Sequence, residues 1–218
     1  MPHDLLEGFK RFRKESYESK EAMMPGLVEK GQDPDYFLIS CIDSRSNPAT
    51  IFHARPGSFF TFKAMGAIVR PYKKGTALSA ALQFALDYNN VSKIIVLGHT
   101  GCGAIKALIS DFEDPEISSF MDVTQAAVKA AQDKTKNPEN LHRRTEEEIV
   151  LQSKTNLKGY PSVARALAEK RVQIIPWLFD MEQGDIFEYD KASDTFINKT
   201  NIGNLANKSC DSKKSGCC

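Results

Sequence analysis

Two cysteines and one histidine have the residue types and the spacing of a metal site. Cys41 follows a short apolar run, and His99-Thr-Gly-Cys102 places an imidazole and a second thiol three positions apart. Two thiolates and one imidazole suit zinc, and three protein ligands leave a fourth coordination position open for water or substrate. Glycines around the second motif permit a tight backbone there. The sequence therefore predicts a catalytic zinc site rather than a closed structural one.

A carboxylate and a guanidinium lie next to the first thiol. Asp43 and Arg45 follow Cys41 in the motif Cys-Ile-Asp-Ser-Arg. A carboxylate beside zinc could become a fourth ligand, but a bidentate arginine would restrain it and leave one oxygen free to accept a hydrogen bond from water. Two thiolates neutralise the charge of Zn²⁺, so the pKa of zinc-bound water should fall less than it does beside three neutral imidazoles. We therefore expect a rate that rises towards alkaline pH.

Other motifs of similar composition do not match. A phosphatase-type Cys-x5-Arg loop needs arginine at position 47, where the chain has Asn47, and a P-loop needs Lys-Ser or Lys-Thr in place of Ala104-Ile105. A lone buried cysteine is usually a small apolar group, and a lone Asp–Arg pair is usually a structural ion pair. The occurrence of both motifs after predicted strands favours the catalytic interpretation.

Short apolar strands are predicted to position both motifs. The run 36–40 ends directly before Cys41, and the run 93–97 ends just before His99. Strands that are apolar throughout suit a parallel sheet covered on both faces. Open α/β sheets build their sites at the carboxyl ends of the strands. The two motifs are therefore expected to meet at one edge of the sheet.

Strand and helix patterns alternate along the rest of the chain. Apolar spacing predicts helical structure in about the first 30 residues and at residues 48–53, 76–88, 104–110, 120–131, 145–157 and 161–170. It predicts further strands at residues 59–62, 172–179 and 186–189. The expected fold class is α/β, with a mainly parallel central β-sheet flanked by helices and an N-terminal helical arm.

Length and charge limit the organisation and the partners. The 218 residues predict one catalytic domain at 1–200, with the helical arm at 1–30 and a flexible cysteine-containing tail at 201–218. Lys plus Arg number 29 against 28 Asp plus Glu, which argues against a nucleic-acid binder. The longest purely aliphatic run, 94–97, is too short for a transmembrane segment, and the N-terminal residues lack a secretory pattern. A cytoplasmic location is expected.

The tail holds the remaining cysteines, Cys210, Cys217 and Cys218. Five cysteines are an odd number and do not form a simple disulfide framework. A terminal Cys-Cys beside lysines could carry a lipid anchor. A flexible tail that is redox-active or binds metal loosely is the favoured interpretation.

The two motifs, Cys41-Ile-Asp-Ser-Arg45 and Gly98-His-Thr-Gly-Cys-Gly103, resemble the signature motifs of the β-class carbonic anhydrases. The resemblance extends from about Leu5 to Tyr189. It implies reversible hydration of carbon dioxide to bicarbonate and a proton, by attack of zinc hydroxide on carbon dioxide. It also implies one Zn²⁺ per subunit, with Cys41, His99 and Cys102 as ligands and Asp43 and Arg45 as the catalytic dyad.

Further site residues are implied by the plant-like branch of this family. Gln32 would contact substrate, from the neighbouring subunit, and Phe60, Met65 and Phe84 would line the carbon dioxide pocket. Gly103 matches a glycine whose backbone N–H faces bicarbonate. Family members are homodimers or higher even homo-oligomers in which the N-terminal helices wrap over a partner.

One difference between branches favours an open site. The bicarbonate-regulated branch usually has tryptophan three residues before the first ligand, where this chain has Leu38. The plant-like branch, with a site open at neutral pH, is therefore expected.

Two segments depart from the family pattern. The chain has Lys63-Ala-Met-Gly-Ala67 where the family usually has Arg-Asn-x-x-Asn, and Ile175-Pro176 where His-Gly is frequent. The loss of two amides and a planar guanidinium must change the hydrogen bonding around the pocket. Two alternatives stay open, a related zinc hydrolase of another small linear molecule such as carbon disulfide and a non-catalytic zinc-binding homologue. An intact Asp43–Arg45 pair argues against the second.

Overall fold

A six-stranded sheet forms the centre of the chain, in the order β2-β1-β3-β4-β5-β6. The computed structural model describes residues 2–110 and 114–200. The strands are β1 (Tyr36–Ser40), β2 (Phe59–Lys63), β3 (Lys93–His99), β4 (Gln173–Asp180), β5 (Asp185–Asp190) and β6 (Thr195–Asn198). The first four are parallel, and β5 and β6 continue the sheet antiparallel. The predicted α/β class with a mainly parallel sheet is confirmed.

Helices flank this sheet. They are α1 (Pro2–Arg13), α2 (Met24–Lys30), α3 (Pro48–Ile51), α4 (Ala77–Gln83), α5 (Gly103–Leu108), α6 (Pro115–Met121), α7 (Gln125–Lys134), α8 (Pro138–Leu157) and α9 (Pro161–Ala168). Wider π-helical turns follow α1 and α4, at Lys14–Glu18 and Phe84–Tyr88. Among the described residues, no helix combines the length and apolarity that crossing a bilayer requires.

The two faces of the sheet are covered unequally. Alternate residues of β3 point to opposite faces, and Ile94 and Val96 pack with Leu82, Leu157 and other apolar side chains of α4, α8 and α9. On the opposite face Ile95 packs with Leu38 and Leu97, and the residues around them are only partly buried. The main core therefore lies on the α4, α8 and α9 side.

The register brings the two motif-bearing strand ends side by side. Ser40, the last residue of β1, is paired with Leu97 of β3. Cys41 therefore leaves the sheet beside the segment that carries His99. Both strands are buried along almost their full length, as their continuous apolar sequences predict.

Several predicted boundaries were wrong. α8 begins at Pro138 rather than at position 145, because Asn137 caps its first turn and proline suits the first helical position, although the turn itself is polar. The predicted helix 120–131 is two helices, α6 and α7, joined by the turn Asp122–Thr124. The segment predicted as a helical arm contains α1 and α2, and β6 was not predicted. The predicted tail, 201–218, lies outside the described residues.

Gly98 gives a direct test of the packing between the sheet and α8. A Cβ at this position would lie 2.4 Å from Val150 Cγ2 and 3.1 Å from Leu178 Cδ1. Both neighbours are buried, so we expect Gly98→Ala to lower the free energy of unfolding by about 1–3 kcal/mol, measured in urea. Gly26→Ala is the control, because nothing lies within 4 Å of its added methyl group. Equal stability of the two variants would contradict the described contact.

Candidate metal centre

Cys41, His99 and Cys102 come together at the carboxyl end of β1 and β3. Cys41 directly follows β1, His99 is the last residue of β3, and Cys102 precedes the first residue of α5. The two sulfur atoms and a ring nitrogen all lie within 4.8 Å of one another. All three side chains are buried. The structure thus gathers the three predicted ligands into one cluster.

The hydrogen bonds of this cluster leave donor atoms for a cation. His99 Nδ1 lies 2.9 Å from the carbonyl oxygen of Thr100, which places the proton on Nδ1 and the lone pair on Nε2. Nε2 is buried and has no hydrogen-bond partner among the described residues. A buried nitrogen without a partner is costly. Zinc coordination would satisfy it, and the S, S, N donor set fits zinc.

The two thiols are neighbours, and their interaction separates their acidities. The interaction with Cys102 lowers the pKa of Cys41, whereas the interaction with Cys41 and burial raise the pKa of Cys102. Burial disfavours protonation of His99, but the Cys41 sulfur and the Thr100 carbonyl outweigh it and raise the pKa of His99. Cys41 is thus the first thiolate. A dication in the cluster would stabilise the second thiolate as well.

Asp43 is held by Arg45 in the bidentate geometry that the sequence predicts. Arg45 Nε donates to Asp43 Oδ1 at 3.1 Å, and Nη2 donates to Oδ2 at 2.8 Å. The backbone N–H of Arg45 also donates to Oδ1, at 2.9 Å. These bonds, the guanidinium first, lower the pKa of Asp43 to about 2. The carboxylate is therefore ionised and restrained beside the metal ligands.

The segment that departs from the family pattern supports Cys41. Lys63 Nζ donates to the carbonyl oxygen of Cys41 at 2.9 Å. The backbone N–H of Gly66 donates to Cys41 Sγ at 3.3 Å, from a left-handed conformation with φ of 61° that favours glycine. The lysine therefore contacts the backbone of the first ligand with a single ammonium group.

Glu146 and His142 of α8 lie behind the cluster, and sequence reasoning did not assign them to it. Glu146 Oε1 accepts a hydrogen bond from the Cys102 N–H at 2.9 Å, and burial raises the pKa of this carboxyl to about 7. His142 Nε2 lies 3.1 Å from the same oxygen and 3.2 Å from the Cys102 carbonyl oxygen. The signal that could have identified Glu146 is its helical spacing with the apolar Ile149 and Val150.

The predicted substrate-binding residues lie at different places in the single chain. Met65 lines a cavity of about 690 Å³ that also includes Ile42, the residue after the first ligand. Phe60 and Phe84 are absent from its lining; their rings contact each other with centroids 5.9 Å apart. Gln32 is exposed in the loop after α2, and Gly103 is exposed at the start of α5. Their roles with substrate stay predictions.

Comparisons with known proteins agree with this geometry. The family model described as carbonic anhydrase matches residues 36–186. A carbonic anhydrase of Pseudomonas aeruginosa is 30% identical over 200 residues, which covers 89% of this chain and 90% of that protein. The solved β-carbonic anhydrase CcaA is 27% identical, with a TM-score of 0.80 over 90% of this chain and 98% of that one.

A more distant structure shares the fold. It is one of two tetrameric β-carbonic anhydrases from the filamentous ascomycete Sordaria macrospora. The two chains are 23% identical and superpose with a TM-score of 0.77, over 85% of this chain and 95% of that one. The family model covers more than half of the present chain, and the relative from Pseudomonas aeruginosa covers most of it. The resemblance expected from the two motifs is confirmed: the chain belongs to the carbonic anhydrase family, in its β class.

Proposed function

We propose that this chain catalyses the reversible hydration of carbon dioxide to bicarbonate and a proton, with zinc held by Cys41, His99 and Cys102. The observation that carries the proposal is the cluster of three donor atoms within 4.8 Å of one another, next to a carboxylate that its arginine holds in place. Membership of the carbonic anhydrase family supports the same reaction.

The residues around the cluster have separate roles in the proposed reaction. When bound, zinc supplies a Lewis acid that lowers the pKa of water at the site. Asp43 would accept a hydrogen bond from water at the site through a carboxylate oxygen and so orient it towards carbon dioxide. Arg45 occupies both carboxylate oxygens, which keeps Asp43 from turning to the metal. The apolar cavity beside Met65 suits a small uncharged substrate.

A homo-oligomer completes the proposed site. The sheet face around Leu38 has only partly buried neighbours, among them Phe59 and Trp177, and α1 exposes Leu5 and Leu6. A second copy of the chain would cover these apolar surfaces. It would also bring Gln32 to the neighbouring metal cluster, as the plant-like branch implies. A cytoplasmic location remains part of this proposal.

Proton release tests the reaction directly. We expect the zinc-loaded protein to acidify a weakly buffered solution rapidly after addition of carbon dioxide, and to do so less rapidly after chelation. Addition of carbon disulfide to the same preparation tests the alternative hydrolase. Release of hydrogen sulfide from carbon disulfide without hydration of carbon dioxide would contradict the proposal.

The pH profile separates Asp43 from the group that limits the rate. Because the pKa of Asp43 is about 2, its carboxylate stays ionised over the usual assay range. Water activated beside two thiolates titrates higher, so we expect kcat/KM to rise from about pH 6 to about pH 9. Stopped-flow hydration over this range measures it. A profile that is flat down to about pH 6 would contradict the expectation.

A further inference from the structure

Helix α8 contacts both peptide groups that flank Cys102. We propose that Glu146, together with His142, is a positioning residue that fixes the Cys102 thiolate in the orientation that zinc requires. This inference rests on the proposed zinc site and adds to it residues of α8 that contact Cys102.

Glu146 and His142 contact the peptide groups on the two sides of Cys102. Glu146 accepts a hydrogen bond from the N–H of Cys102, which belongs to the peptide group before it. His142 lies at hydrogen-bond distance from the carbonyl oxygen of Cys102, which belongs to the peptide group after it. One Nε2–H of His142 can be shared between that carbonyl and Glu146 Oε1, 3.1 Å away. Rotation of either peptide plane would therefore break a bond to α8.

The loop around Cys102 benefits from such support because its glycines allow a wide range of backbone conformations. Gly101 has a φ of +66°, and Gly103 follows Cys102 directly. Glycines on both sides give the Cys102 peptide groups more conformational freedom than other residues would. Local contacts also act on Cys102: the Lys106 N–H donates to its carbonyl oxygen, and the backbone of Ala104 and Ile105 interacts with its thiol. The bonds from α8 add contacts from outside the loop and α5.

Helix α8 is a rigid source of these bonds. It runs for 20 residues and buries Ile149 and Val150 in the two main apolar clusters. Glu146 itself is only 2% exposed, and a carboxylate so far from water needs strong hydrogen-bond donors. Loss of a hydrogen-bonding partner of a metal ligand typically changes metal affinity by about 10- to 100-fold. The position of Glu146 fits this role better than that of a surface acid.

The neighbouring Glu147 provides a matched control. It lies on the same helix but binds Arg143 and Arg144, at 3.1 and 2.7 Å, and has no recorded contact with the ligand loop. Glu146→Ala removes the acceptor for the Cys102 N–H, whereas Glu146→Gln keeps an oxygen acceptor of nearly the same shape. Glu147→Gln changes the charge of the helix without changing the loop.

Zinc affinity and the cobalt spectrum test the proposal in the full-length protein. By chelator competition we expect Glu146→Ala to bind Zn²⁺ about 10- to 100-fold more weakly, Glu146→Gln to recover most of the loss, and Glu147→Gln to match the wild type. In the Co²⁺-loaded protein, the sulfur-to-cobalt charge-transfer band should shift in Glu146→Ala alone. If Glu146→Ala does not fold, His142→Phe provides the same readouts with a smaller expected loss.

Two results would overturn the inference, and they are distinguishable. Glu146→Ala with the Zn²⁺ affinity and the Co²⁺ spectrum of the wild type would show that Cys102 does not depend on α8, and would leave the proposed function intact. If Glu146→Ala does not fold and His142→Phe is measured instead, wild-type Zn²⁺ affinity and Co²⁺ spectrum in His142→Phe would overturn the inference in the same way. A wild-type chain that binds no zinc would remove the proposed function and this inference together.

Discussion

Asp43→Ala should lower kcat/KM for carbon dioxide hydration by about 100-fold or more, because the attacking water loses the hydrogen bond that orients it. The bound zinc should remain at one ion per chain, because Cys41, His99 and Cys102 supply the ligands and Arg45 holds Asp43 in place by both of its oxygens. The Asp43 side chain is 19% exposed and that of Arg45 is 64% exposed. Arg45 can thus turn to solvent in the variant, so we expect little loss of stability.

Zinc content and rate must be measured on the same preparation to separate two roles of Asp43. Asp190→Ala is the control, because Asp190 is half-buried at the end of β5, where it accepts hydrogen bonds from Ser193. It should leave both quantities unchanged. Loss of zinc from Asp43→Ala would indicate that this carboxylate is a ligand. A wild-type rate at full zinc content would show that it has no part in the reaction.

The zinc cluster could be predicted because its parts are local and its assembly follows from topology. Cys41 and His99 each adjoin the end of an apolar strand, and parallel strands place such ends at one edge of a sheet. The Asp43–Arg45 bond spans two residues and needs no tertiary contact. A site whose residues lie in short local motifs can therefore be predicted from residue types and spacing.

The support behind the cluster could not be predicted in the same way. Glu146 meets Cys102 only because α8 packs with a particular rotation on the sheet, and that rotation depends on long-range contacts. The first turns of α8 are polar, so the apolar spacing did not indicate that the helix begins at Pro138. Strand β6 is short and half exposed, so its apolar pattern is weak. Both features depend on tertiary packing rather than on local pattern.

Spacing alone could not place the other predicted substrate-binding residues relative to the cluster. Phe60 and Phe84 form an aromatic contact with each other, and Gln32 is exposed. No spacing rule within one chain relates these residues to Cys41. Their expected roles follow from the resemblance alone, and these roles stay predictions.

Cys102→Ser should remove both the zinc and the activity. Serine preserves the shape of the side chain but replaces a soft thiolate with a hydroxyl that remains protonated and binds zinc poorly. Cys102 lies within 4.8 Å of the two other ligands, so the loss leaves one sulfur and one nitrogen for the ion. We expect metal analysis to find well under one zinc per chain and hydration at the uncatalysed rate.

Re-addition of zinc distinguishes loss of the ligand from loss of the fold. The chelated wild type should recover its activity when zinc returns, whereas Cys102→Ser should not recover while its far-ultraviolet circular dichroism stays that of the wild type. Replacing Cys210, Cys217 and Cys218 with serine controls for thiols as such, and this variant should keep one tightly bound zinc per chain. Full zinc and activity in Cys102→Ser, or their loss from the tail variant, would place the metal elsewhere. The geometry argues against that outcome, because His99 Nε2 is buried beside two sulfurs with no other described partner to accept or donate a hydrogen bond.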